Sequence, residues 1–129
     1  MRFFFKHEER LVETDDVEEL FEGLGYLAAP YTHKLAAVVE QRMMDLCKAD
    51  AALMKRGVFT ASPLLKHYIV THETLPTDFE YWQEYSVELM QRCDFLLVLM
   101  LDGWDQSRGV LAEIRDAERL GMPVYYIEP

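Results

Sequence analysis

FLLVLMLDGWDQSRGVLAEIRDAERLGMPVYYI, residues 95–127, is the stretch whose reading decides the fold. Phe95 to Met100 is apolar at every position, the pattern of a strand covered on both faces. From about Ser107 to Leu120, the residues Val110, Leu111, Ile114, Ala117 and Leu120 recur at helical spacing. Gly121 closes that helix, Pro123 lies just beyond it, and Val124 to Ile127 supplies another strand. Strand, helix and strand in this order predict a right-handed parallel crossover, the unit of an α/β domain.

Upstream the same alternation continues. GYLAA (25–29) is an apolar run ended by Pro30, and a long helix follows from about Lys34 to Arg56. Its buried face is expected to carry Leu35, Val38, Val39, Leu46, Ala49 and Leu53, with Gly57 at its end. VFTA (58–61) reads as a second short strand stopped by Ser62 and Pro63, and residues 64–76 read as a connecting region. The Thr77-to-Glu80 spacing of a capping box starts a helix that runs to about Arg92. At the start of the chain, Phe3 to Phe5 reads as a short edge strand. Asp15 to Gly23 reads as a short acidic helix burying Leu20 and Phe21. The expectation is a three-layer α/β domain with a mainly parallel sheet of four to five strands, the domain itself spanning residues 25–129. Residues 1–24 form an N-terminal extension packed on it. Ligands in such sheets collect at the carboxyl ends of strands, where the loops Pro30–His33 and Asp102–Gly109 would meet.

Bulk properties narrow the function classes. The chain has 129 residues, half of them hydrophobic, which suits one domain with one core. Thirteen Lys and Arg against 23 Asp and Glu leave a formal charge of −10, which repels a phosphate backbone, so polymeric nucleic acid is not an expected partner. A small anion is not excluded, because a helix N-terminus and one or two basic side chains make a local positive site. Cys47 and Cys93 form no disulfide framework or CxxC site and read as reduced packing residues. No apolar run approaches a membrane span or a signal-peptide core, so a cytoplasmic protein without a membrane partner is expected. His67 and His72, five apart, lack the companions of a metal site, and neither metal nor cofactor is expected.

Within the helix of residues 107–120, Glu113 falls inside the apolar arc between Leu120 and Ala117. On the wheel alone, an inward acid with a chemical role and an edge carboxylate turned to water or to an arginine are about equally good readings. The flanking Ser107 and Gly109 favour the first. They open the helix and present a hydroxyl and free N–H groups one to two turns before the acid, as an oxyanion requires, although Ser107 is also an ordinary N-cap. Arg42 sits in the middle of the long helix's apolar stripe. A carboxylate is favoured over a ligand phosphate as its partner. Trp82 and Trp104 either wall a pocket or fill the core, and Tyr31, at a loop tip, either stacks on a ligand or is a plain turn aromatic.

GYLAAPYTH (25–33), the Ser62–Pro63 pair and the motif GWxxSxGVxxEI within residues 103–114 together resemble the nucleoside 2-deoxyribosyltransferase-like superfamily. More closely, they resemble a branch of that superfamily marked by these motifs and similar to nucleoside 5′-monophosphate N-glycosidases, and the resemblance covers residues 25–129. It implies a flavodoxin-like sheet and chemistry at the N-glycosidic bond. It implies further that Glu113 is the nucleophile that attacks C1′ and forms a glycosyl ester, by the retaining logic of glycosidases. Tyr26 corresponds to the tyrosine that contacts this carboxylate. Ser107 stands six residues before it, where a serine accompanies nucleotides and an aspartate accompanies free nucleosides. A nucleoside 5′-monophosphate is therefore the expected ligand, with Ser107, Gly109, Pro30, Tyr31, Ser86 and Trp104 as its contacts. The chain departs from the pattern at Ser86, eight residues before Asp94, where the family usually places an aspartate that assists base departure. A serine is no comparable acid at neutral pH. Three functions stay open: hydrolysis of nucleoside monophosphates, base exchange by a deoxyribosyltransferase, and nucleotide binding without turnover. A homodimer or homotetramer is expected from the resemblance.

Overall fold

The computed structural model describes residues 1–129 as an α/β fold with one six-stranded mixed sheet and four helices. The strands are β1 (Arg2–His7), β2 (Arg10–Thr14), β3 (Leu24–Ala28), β4 (Phe59–Ala61), β5 (Phe95–Leu99) and β6 (Val124–Glu128). The helices are α1 (Ala36–Lys55), α2 (His67–Glu73), α3 (Phe79–Gln91) and α4 (Arg108–Arg119). The strand order is β2-β1-β6-β5-β3-β4. β4, β3, β5 and β6 run parallel, whereas β1 pairs antiparallel with both β6 and β2.

Several expectations are corrected. The sheet has six strands rather than four or five, because the first residues supply two of them, β1 and β2. Phe3 to Phe5 lies inside β1, an interior strand, and the edge is β2, which the sequence reading did not find. Asp15 to Gly23 contains only one 3-10 turn, Glu18–Phe21, with Leu20 buried and Phe21 exposed. Residues 64–76 are not merely a connection, since they hold a 3-10 turn, Pro63–Lys66, running into α2. The cap of α3 is Asp78, whose carboxylate accepts from the Tyr81 N–H at 3.1 Å, in place of Thr77. Leu35, Leu111 and Leu120 are exposed, and so is Cys47.

Two apolar clusters hold the layers together. Leu27, Phe95, Leu97 and Leu99 point to one face of the sheet and meet Met43, Leu46, Ala49 and Leu53 of α1. The alternate residues Tyr26, Ala28, Leu96 and Val98 point to the other face and meet Met90 of α3 and Val110, Ile114 and Ala117 of α4. Every residue of β5 is buried, as its unbroken apolar run requires. Close approach of β3 and β5 demands glycine at position 25. A Cβ there would lie 2.3 Å from the Phe95 ring. After β3 the chain crosses to β4 on one side, and after β4 it returns to β5 on the other. The loops following β3 and β5 therefore part at that reversal and open a crevice.

Candidate functional site

The crevice is a cleft of about 770 Å³ whose lining includes Tyr26, Pro30, Tyr31, Ser86, Ser107, Gly109 and Glu113. All the residues assigned to the site from the sequence are there except one. Trp104 is absent from the lining and instead packs its ring against Tyr126, centroids 5.6 Å apart, beside the second apolar cluster. Its place after the turn at Gly103, with φ of 87°, aims the indole at the sheet. Trp82 takes the wall position, with its indole N–H donated to the Pro76 carbonyl at 2.8 Å.

Glu113 projects from the second turn of α4 toward β3, where the Tyr26 hydroxyl donates a hydrogen bond to its carboxylate. Tyr26 is wholly buried and comes from the middle of β3, so its position is fixed by the sheet. Burial pushes the Glu113 carboxyl from 4.5 up to about 7, against the opposing pull of the Tyr26 hydrogen bond and with a further push from the charge of Asp116. Burial first, and then the charge of Glu113, holds the Tyr26 phenol far above its usual range, which keeps it a proton donor. The Ser86 hydroxyl also acts on the Tyr26 oxygen and counters part of that rise. Ser86 lines the same cleft as a polar neighbour of Tyr26.

Ser107 caps α4, its Oγ accepting from the Val110 N–H at 3.3 Å. The first turn leaves the N–H groups of Arg108 and Gly109 without intrahelical acceptors, and both residues line the cleft. A Cβ at Gly109 would meet nothing closer than the Ser107 Oγ at 4.0 Å, so the glycine leaves that corner of the cleft open. Arg108 lies on the rim, paired with Glu80 at 3.1 Å and stacked 4.3 Å from the Phe79 ring centroid. The free N–H groups at the start of α4 thus form one electropositive corner in a cleft otherwise rich in acids, among them Asp102, Asp105 and Asp116.

Arg42 has no carboxylate partner, contrary to the sequence expectation. Its guanidinium donates to the carbonyls of Thr32 at 2.9 Å, Tyr31 at 3.4 Å and Asp102 at 3.3 Å, tying the loop after β3 to the loop after β5. Carbonyls satisfy a half-buried guanidinium as well as a carboxylate does, and helical periodicity cannot foresee them.

The residue missed from the sequence is His67. It is 4% exposed, lines the cleft, and has both ring nitrogens engaged. Nδ1 lies 2.7 Å from the Tyr31 hydroxyl and Nε2 lies 2.8 Å from Glu40 Oε1. Tyr31 is thereby a half-buried wall residue, set edge-on to the imidazole. Burial and the charge of Glu40 push its phenol above the usual range. The signal available in the sequence was Ser62–Pro63. Ser62 caps the 3-10 turn that runs directly into α2, and His67 is the first residue of that helix.

Residues 23–128 match the family described as Domain of unknown function (DUF1937), and the chain belongs to that family. No curated protein matches the chain.

Proposed function

We propose that this DUF1937 protein hydrolyses the N-glycosidic bond of nucleoside or deoxynucleoside 5′-monophosphates, with Glu113 as nucleophile. The observation that carries the reading is the placement of Glu113: a part-buried carboxyl, bonded by the Tyr26 phenol, facing a cleft that the N-terminus of α4 also lines. The parallel strands, in the order β4-β3-β5-β6, follow the sequence of a flavodoxin-like sheet, which supports the superfamily resemblance and its site at the reversal of strand order.

In this mechanism the phosphate lies against the N–H groups of Arg108 and Gly109 and the Ser107 hydroxyl, which fixes C1′ near Glu113. The ionised carboxylate attacks C1′ as the C1′–N bond breaks, and the base departs with the bonding pair. The resulting glycosyl ester is opened by water at C1′, which returns the carboxylate and releases sugar phosphate with retained configuration. Tyr26 orients the carboxylate, and its retained proton stabilises the ionised form before attack.

The test is incubation with the deoxynucleoside monophosphates, with and without added adenine, following free base and sugar phosphate. Base and sugar phosphate appearing without an acceptor support hydrolysis, and exchange only when adenine is present supports a transferase. A melting-temperature rise with nucleotide and no base released supports a silent binding module, the reading that Ser86 favours. Glu113→Ala is expected to abolish base release while the protein remains folded, and unchanged release would remove Glu113 from its role. A homodimer or homotetramer is part of the same proposal and is read from the mass in solution.

A further inference from the structure

The hydrolytic reading leaves one requirement unmet. A base that departs with the bonding electron pair needs a proton, and Ser86 cannot supply one at neutral pH. Across the same cleft stands a hydrogen-bonded chain that the nucleophile does not use: the Tyr31 hydroxyl, the His67 imidazole and the Glu40 carboxylate. Tyr31 is supplied by the loop after β3, His67 by the start of α2, and Glu40 by α1, so three separate elements converge on one line of contacts. The imidazole in the middle is buried, whereas the Glu40 side chain is 58% exposed and reaches water. A half-buried phenol backed by an imidazole, whose far nitrogen is held by a carboxylate, has a second proton behind the one it gives up.

The two phenols of the cleft serve different ends. The Tyr26 hydroxyl is bonded to Glu113 and the Tyr31 hydroxyl to His67. The Tyr31 hydroxyl is therefore not held by the nucleophile. N7 of a purine is a basic ring atom outside the scissile bond, and its protonation neutralises the departing base. We infer that Tyr31, backed by His67 and Glu40, is the acid that protonates a departing purine, an assignment that rests on the glycosidase reading above. With His67 as imidazolium, Nε2–H donates to Glu40 and Nδ1–H donates to the Tyr31 oxygen, which turns the phenolic hydrogen into the cleft. As the C1′–N9 bond breaks, that hydrogen passes to purine N7 and the Nδ1 proton passes to the Tyr31 oxygen. The products are a neutral purine, an intact tyrosine and a neutral His67 that keeps its Nε2 proton on Glu40, and a proton from water returns to Nδ1 once the base has left the cleft. Tyr31 touches the base and is the catalytic residue. His67 and Glu40 act through it and are positioning residues.

The experiment compares deoxyguanosine 5′-monophosphate with its N7-methyl derivative, whose base is already cationic and leaves without a proton. Tyr31→Phe is expected to slow release of guanine by about 100-fold or more and release of 7-methylguanine by less than about tenfold. Glu40→Gln, a change at an exposed side chain that leaves the fold intact, is expected to show the same pattern at smaller size. Equal slowing of both substrates by both variants overturns the relay and leaves the nucleophile reading standing. Cleavage of pyrimidine nucleotides alone overturns the purine assignment, again without touching Glu113. If the wild-type protein cleaves neither methylated nor unmethylated substrate and no pyrimidine nucleotide, the glycosidase reading fails and the relay with it.

Discussion

The proposed role of Glu113 and its surroundings pull in opposite directions. In the proposed role of nucleophile it would have to be ionised, yet burial pushes its carboxyl up to about 7, so near neutral pH a sizeable fraction is protonated. Base release is therefore expected to rise with pH through the region of 7. The same shift has a cost in stability, because an acid whose carboxyl titrates higher in the folded chain than in the unfolded one is favoured at low pH. Its contribution is fully present below about 4.5 and is lost as pH rises to about 7. The interval corresponds to roughly 3 kcal/mol as an upper bound. Glu113→Gln removes the ionisation while keeping an acceptor for Tyr26. Its stability relative to the wild type is expected to improve from pH 4 to pH 8, measured by urea denaturation at each pH. A gap that does not change with pH would show that the carboxylate is solvated.

Among the elements, the hairpin of β1 and β2 carries local strain. His7 pairs with Arg10, so Glu8 and Glu9 alone form the turn, and both have positive φ, 49° and 67°. Two-residue turns of this kind favour Asn-Gly, and non-glycine residues there are costly. The double change Glu8→Asn and Glu9→Gly is expected to raise stability by about 1 kcal/mol, read as a shift in thermal midpoint of several degrees. That hairpin also shows where sequence reading stops. β5 was legible because all five residues are apolar, and α4 because a serine cap, a periodic stripe and a closing glycine agree. β2 was not, since RLVET is nearly all exposed and carries no alternation. α2 was hidden for a different reason, having seven residues, too few for a helical period to declare itself. At the site, Glu113, Tyr26 and Ser107 could be found because one helix and one strand bear them in motifs. The contact of Tyr31 with His67 joins residues 36 apart, and no local pattern encodes it.

For the whole molecule, residues 1–24 are a structural part of the sheet. Phe3 pairs with Ile127 and joins the cluster under α1, and Arg2 reaches Glu128 and Glu13 across the neighbouring strands. Phe3→Ala is expected to cost about 3–5 kcal/mol in denaturant unfolding while leaving base release per folded molecule unaltered, since Phe3 does not line the cleft. A loss below 1 kcal/mol would show that the hairpin only rests on the domain. The DUF1937 match begins at residue 23, so the hairpin completes the sheet from outside the matched region. No helix is long and apolar enough to cross a membrane.

Arg42 fastens Tyr31, Thr32 and Asp102 with one guanidinium. The two walls that flank the strand reversal are therefore mechanically one piece, and neither can swing without dragging the other. Any breathing that admits a ligand falls to the opposite bank, the stretch from α2 to the start of α3, which holds His67, Phe79 and Trp82. Opening and proton delivery would then share a hinge: the movement that lets a base in would also make or break the Tyr31–His67 contact.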